Sequence, residues 1–167
     1  FEGKSEQGLY GDCIEEIDWS VGEIIRTVKE LGIDKNTMIF YCSDNGPWHF
    51  KANATDKVKG NMNRRTGGSA LPLRGYKFQQ WEGGMREPTI FWWPRSLKQG
   101  VVMELGTTMD LLPTFCSLSN TKLPDDRIYD GYDITPVLLG TGTTPRHVIY
   151  YYRGQKVYAV RKDNFKA

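Results

Sequence analysis

Thr37-Met38-Ile39-Phe40-Tyr41-Cys42-Ser43-Asp44-Asn45-Gly46-Pro47 decides the fold class. Its first six residues make a mostly apolar run of strand length, and the polar residues after Cys42 end it abruptly. Runs of this kind belong to strands buried on both faces, as in a parallel sheet covered by helices. Ahead of it, residues 9–31 predict one long amphipathic helix. Leu9, Cys13, Ile17, Val21, Ile24, Ile25, Val28 and Leu31 keep helical spacing, while Asp12, Glu15, Glu16, Glu23 and Glu30 fall mostly elsewhere. Gly32 stands where a helix stop is expected, and Asp34-Lys35-Asn36 makes a short turn into the strand. Helix, turn, buried strand and polar break together describe an α/β unit.

Downstream, residues 48–76 show no clear period and are rich in Asn, Gly, Lys and Arg. A loop this long inside a compact domain is functional or disordered. Glu87-Pro88 leads into a second strand, Thr89-Ile90-Phe91-Trp92-Trp93, closed by Pro94. Thr107-Thr108-Met109-Asp110-Leu111-Leu112-Pro113 reads as a helix start, where proline is tolerated only near the first turn. Residues 120–147 are loop-rich, with a short apolar piece at Val137-Leu138-Leu139. Val148 to Tyr152, Arg153-Gly154-Gln155 and Lys156 to Arg161 predict a β-hairpin. Its sheet is expected to be incomplete, because the sequence stops at Ala167 soon afterwards.

The 167 residues amount to about one domain. With 39% hydrophobic and 25% charged residues, the chain is too apolar for a disordered one. No apolar run approaches the roughly 20 residues of a membrane span. Phe1-Glu2-Gly3-Lys4 is not a signal peptide and does not begin with Met, so a processed chain or a fragment is expected. Cys13, Cys42 and Cys116 are too few for a disulfide scaffold, and their spacing matches no zinc motif. The two histidines, His49 and His147, exclude a His-rich metal site.

The net charge of +2 hides an asymmetry. Residues 1–50 carry four basic and ten acidic side chains, whereas residues 51–80 carry seven basic and one acidic. A basic stretch concentrates an anionic ligand, although a solvated basic loop has the same composition. A pI of about 8.4 is too mild to argue for nucleic acid.

Asp44-Asn45 follows a buried strand, and ligand sites in open α/β sheets gather at the carboxyl ends of strands. A carboxylate beside an amide carbonyl supplies the hard oxygen ligands that suit Ca²⁺ or Mg²⁺. Asp-Asn-Gly-Pro is equally good turn chemistry, and on these residues alone the turn stands ahead. Lys77, between Arg74-Gly75-Tyr76 and Phe78-Gln79-Gln80-Trp81-Glu82-Gly83-Gly84, is suited to donate to an oxyanion or to be one more solvated charge. Cys13 and Cys116 are expected in the core, and His147 in a structural role. Arg86 and Glu82 are expected to brace the turn at Gly83-Gly84. For Trp48, Trp81, Trp92, Trp93 and Tyr150 to Tyr152, core packing is expected ahead of sugar stacking.

Ser43-Asp44-Asn45-Gly46-Pro47, then Lys77 followed by Trp81-Glu82-Gly83-Gly84-Met85-Arg86-Glu87-Pro88, resembles the type I sulfatase family. The likeness is to its arylsulfatase A and N-acetylgalactosamine-6-sulfatase branch. It extends through Trp92-Trp93-Pro94, Met109 to Thr114, Asp130-Gly131-Tyr132-Asp133 and Tyr151-Tyr152-Arg153-Gly154, and covers Tyr10-Gly11-Asp12 and Glu16-Ile17-Asp18 as well. Several separate motifs in the correct order cover nearly the whole chain.

The resemblance implies an α/β chain that is part of an alkaline-phosphatase-like sulfatase fold, a mixed sheet flanked by helices leading into a smaller C-terminal antiparallel sheet. Residues 1–140 would be the C-terminal part of the main domain and 141–167 the start of the small subdomain. It implies a Ca²⁺-dependent hydrolase of sulfate esters of sugars or aryl alcohols, with Asp44 and Asn45 as metal ligands and Lys77 binding the sulfate. His49, four residues past Asn45, matches no catalytic histidine of the family and is a weak candidate for facing a substrate sugar. The nucleophile of the family is a formylglycine made within Cys-x-Pro-x-Arg or Ser-x-Pro-x-Arg. Neither motif occurs here, and the N-terminal Asp-Asp metal pair and the catalytic histidines are absent too. This chain alone is therefore expected to be inactive. Family members are lysosomal, secreted or periplasmic. Two rivals remain: a phosphoester or phosphonate hydrolase of the same superfamily, and a non-catalytic anion- or glycan-binding module.

Overall fold

The computed structural model describes residues 1–48 and 67–167. They form two compact units, Phe1–Arg95 and Ser96–Ala167.

The first unit opens with helix α1, Leu9–Glu30. Asp12 is buried in its first turn, and its carboxylate accepts the backbone N–H groups of Gly3 (2.8 Å) and Ser5 (2.7 Å). The Ser5 and Gly3 bonds hold that carboxyl below its ordinary pKa. The helix ends as the sequence predicts: Gly32 has φ 68° and its N–H returns to Lys29 O at 2.9 Å. A single 3₁₀ turn over Asp34–Asn36 then feeds strand β1, Ile39–Cys42.

Here the structure departs from two expectations. Strand β1 is half-buried throughout, and it pairs antiparallel with β2, Thr89–Trp92, in register Ile39↔Trp92 to Cys42↔Thr89. A mostly apolar run reports burial of both faces but not the direction of a partner nearly 50 residues away. Cys13 is exposed, as are Leu9, Ile14, Ile17, Ile24 and Leu31, so much of the apolar side of α1 is uncovered by the described residues. Periodicity marks which side of a helix is apolar and leaves open what covers it.

The second unit is built around a buried ion pair. A 3₁₀ turn, Thr108–Asp110, leads directly into α3, Leu111–Leu118, after the short α2, Glu82–Met85, of the first unit. Pro113 falls in the first turn of α3, where a missing N–H costs nothing. Thr107 and Asp110 form a capping box, with Thr107 N–H donating to Asp110 Oδ2 at 2.7 Å. The same carboxylate accepts Tyr132 N–H at 2.8 Å and both Nε (3.1 Å) and Nη2 of Arg146. Arg146 Nη2 also donates to Asp130 O at 2.9 Å. Thr114 Oγ1 donates to Asp110 O at 2.6 Å and accepts Ile134 N–H at 3.0 Å, just before α4, Thr135–Leu138. Ile134, Val137 and Tyr151 are the buried apolar side chains among the described residues.

Strands β3 (Val148–Arg153), β4 (Lys156–Lys162) and β5 (Phe165–Lys166) then form an antiparallel sheet in that order. The predicted hairpin is present. Arg153 pairs with Lys156 across a two-residue turn in which Gly154 takes φ 60°. His147 Nδ1 lies 2.9 Å from Asp163 Oδ1 and its carbonyl accepts Asp163 N–H, which is a structural role. Cys116 is half-buried. No helix of the described residues is long and apolar enough to cross a membrane.

Candidate functional site

The site lies where β1 ends and β2 begins. Ser43 N–H donates to Pro88 O at 3.4 Å, which carries the β1–β2 pairing one step past Cys42↔Thr89. Three chain segments are tied together there by main-chain bonds. Gly46 N–H reaches Gly84 O (3.3 Å), Lys77 N–H reaches Pro47 O (3.0 Å), and Gly83 N–H reaches Arg74 O (2.8 Å). The sequence stretches around Asp44, Lys77 and Glu87 therefore meet in space.

Glycines make that approach possible. A Cβ on Gly46 would run into the carbonyl oxygen of Gly83 and stand 2.7 Å from Gly84 Cα. A Cβ on Gly83 would meet the carbonyls of Gly75 and Arg74. These contacts are with backbone and cannot be relieved by turning a side chain. Beside them, the Arg74 guanidinium stacks 3.7 Å from the centroid of Trp81. Main-chain bonds brace the turn at Gly83–Gly84: Gly84 N–H to Trp81 O (2.9 Å) and Arg86 N–H to Glu82 O (2.8 Å).

Asp44 is exposed and Asn45 half-buried, with the Asn45 carbonyl accepting Ser43 Oγ at 2.9 Å. Lys77 is half-buried, and its Nζ lies 6.0 Å from the ring centre of Trp48 and 5.9 Å from that of Phe78. Those two rings are in edge contact, 5.1 Å apart at 79°. Glu87 is the residue that composition and spacing pass over. Its Oε2 is buried and accepts no hydrogen bond from the described residues. Burial pushes its carboxyl up, the Asp44 charge pushes the same way, and Lys77 pulls it down. One carboxyl thus feels both predicted site residues, and the Lys77 N–H to Pro47 O bond ties the Lys77 stretch to the one that carries Asp44. Its signal is the strand register, unavailable until β1 and β2 are paired.

The Asp44 charge disfavours an ionised Glu87, and the Lys77 charge offsets part of that effect. The hard oxygens of Asp44 and Asn45 have the chemistry that holds calcium or magnesium. Among the described residues no group of three or more His, Cys, Asp or Glu could hold a metal ion. His49 and most of the basic segment 51–66 lie outside the described residues.

The expectation of core packing for the aromatic residues holds for Tyr151 and fails for Trp48, Trp81, Tyr150 and Tyr152, all exposed. Turn and edge positions leave those rings partly exposed.

Residues 3–121 match the family profile described as Sulfatase. Mouse N-acetylgalactosamine-6-sulfatase is 42% identical over 168 residues, covering all of this chain and 30% of that protein. Bovine arylsulfatase A is 37% identical over 172 residues, covering all of this chain and 31% of the relative. Among solved structures, the PsFucS1 sulfatase from Pseudoalteromonas sp. superimposes with a TM-score of 0.76 at 32% identity, over 93% of this chain and 29% of that one. A protein from a Bacteroides thetaiotaomicron locus for glycosaminoglycan metabolism gives 0.78 at 30% identity, over 99% of this chain and 34% of that one. The chain spans about a third or less of the length of these relatives.

Proposed function

This chain belongs to the sulfatase family, and on that premise we propose that it forms part of a calcium-dependent sulfuric ester hydrolase acting on sulfated sugars or aryl sulfates. The observation that carries this proposal is the convergence of Asp44, Lys77 and Glu87 at the open end of β1 and β2, at the motifs through which the chain resembles sulfatases.

Lys77 binds the sulfate group, its ammonium donating to sulfate oxygens and compensating the charge that grows there during S–O cleavage. Asp44 and Asn45 would hold calcium through carboxylate and amide oxygens. When bound, the ion supplies further electrostatic stabilisation of the sulfate oxygens. The Glu87 charge attracts Lys77 and favours an ammonium near the strand end. The tightly bonded glycine turns at Gly46 and Gly83–Gly84 hold these groups against drift, which a positioned electrostatic site requires.

The nucleophile in this proposal is a formylglycine contributed from outside these 167 residues. Residues 1–140 belong to the main α/β domain of the larger fold and 141–167 begin its small β subdomain. The uncovered apolar side of α1 is in keeping with packing against further parts of that domain. A lysosomal, secreted or periplasmic compartment follows from the same likeness. The names of its relatives favour sulfated sugars as substrates, one being an N-acetylgalactosamine-6-sulfatase.

Peptide mass mapping of the natively produced protein tests the proposal. A formylglycine in a Cys/Ser-x-Pro-x-Arg context upstream of Phe1 is the expected result. A native protein without such a modified residue would rule out this route to sulfate ester hydrolysis.

A further inference from the structure

Among the described residues, Phe78 is one of three non-glycine residues with positive φ, at 73°. It follows Lys77 directly. Lys77 and Phe78 are the two central residues of a turn closed by Gln79 N–H to Tyr76 O at 3.0 Å. Positive φ at the second of these positions is glycine's territory, and a bulky aromatic side chain is strained there. The described residues give Phe78 little in return, because its side chain is 71% exposed. Strain held in this way at an exposed residue points to function.

The ring has a definite arrangement. It meets Trp48, itself 39% exposed, edge-on at 5.1 Å and 79°, so the two rings make a corner. The Lys77 ammonium stands 5.9 and 6.0 Å from the two ring centres, within reach of the negative faces of both. A sulfate held on Lys77 carries its ester-linked ring only a bond or two away, which brings that ring to the aromatic corner. The C–H face of a pyranose is weakly positive and apolar, and it suits an aromatic face in the way a ring edge does.

We infer that Trp48 and Phe78 form a sugar-binding corner beside Lys77, which selects sulfate esters carried on a pyranose ring. This rests on the proposed sulfatase function of Lys77 and assigns the specificity of that same site. Phe78 spends backbone strain to place its ring, and Trp48 completes the corner from the end of the Asp44-Asn45 segment.

The full-length protein carrying Phe78→Gly tests it, because glycine relieves the strain while removing the ring. The melting temperature is expected to hold or rise. The KM for galactose 6-sulfate is expected to rise about tenfold, while the inhibition constant of inorganic sulfate, which has no ring, stays within about twofold. Trp48→Ala should behave alike, with Trp48→Phe restoring most of the affinity. An unchanged KM in both variants overturns the inference. So does a parallel rise in KM and in the sulfate inhibition constant, since the rings would then act only through Lys77. Should the wild-type protein hydrolyse no sulfate ester, the proposed function falls separately. Calorimetric binding of galactose 6-sulfate then decides the corner: weaker binding by Phe78→Gly upholds it and equal binding overturns it.

Discussion

Arg146 grips both carboxylate oxygens of Asp110, and the two side chains are 6% and 0% exposed. Asp110 also takes the N–H groups of Thr107 and Tyr132, so one carboxylate ties together three segments distant in sequence. Removing one partner leaves a buried charge uncompensated. Arg146→Ala is expected to destabilise the protein by about 3–5 kcal/mol, and Arg146→Lys, which keeps a cation beside the carboxylate, by less. Chemical denaturation of both variants checks this, and equal losses would contradict it.

The same pair sets an acid limit. Burial works to raise the Asp110 pKa, but the Arg146 bond and the Tyr132 and Thr107 N–H groups outweigh it, and the net shift is downward. A carboxyl with a lowered folded pKa contributes stability that is present above its unfolded value and lost as pH falls through the folded one. Stability should therefore decline as pH drops below the ordinary aspartate range of about 4. Asp110→Asn should show a shallower decline there. Parallel curves for wild type and variant would remove Asp110 from the acid response.

Gly46 marks the tightest main-chain approach beside Asp44-Asn45. Gly46→Ala places a methyl against Gly83 O and 2.7 Å from Gly84 Cα, and backbone must move to admit it. A cost of about 1–3 kcal/mol is expected, with loss of turnover exceeding the loss of folded protein. A melting temperature and activity equal to wild type would show that the approach is not needed.

Calcium held by Asp44 and Asn45 should stabilise the full-length protein by linkage, about 2.7 kcal/mol at a hundred times the dissociation constant. Chelation should lower the melting temperature of wild type and leave Asp44→Ala nearly unmoved. A wild-type protein indifferent to chelation would contradict the metal assignment.

The local elements were legible because their causes are local. The spacing from Leu9 to Leu31 and the stop at Gly32 mark α1, and the two apolar runs either side of Gly154 mark the hairpin. Family motifs pointed to Asp44, Asn45 and Lys77. What lay hidden depends on distant pairing. That β1 takes β2 as an antiparallel neighbour, which brings the Glu87-Pro88 stretch to the end of β1, follows from a register no local pattern encodes. The Asp110–Arg146 pair joins residues 36 apart in the sequence, in stretches that read as a helix start and a loop. Trp48 and Phe78 read as ordinary aromatic residues because exposure and backbone φ are properties of the folded chain.

The central claim is that Lys77 binds the sulfate of a sulfate ester undergoing hydrolysis. Its most direct test is turnover of a sulfated sugar by the full-length protein before and after Lys77→Ala, with the fold checked by melting. A fall of about 10²–10³ in kcat at an unchanged melting temperature is predicted, the loss expected on removing one electrostatic donor. An unchanged rate would contradict the account and take Lys77 out of the mechanism.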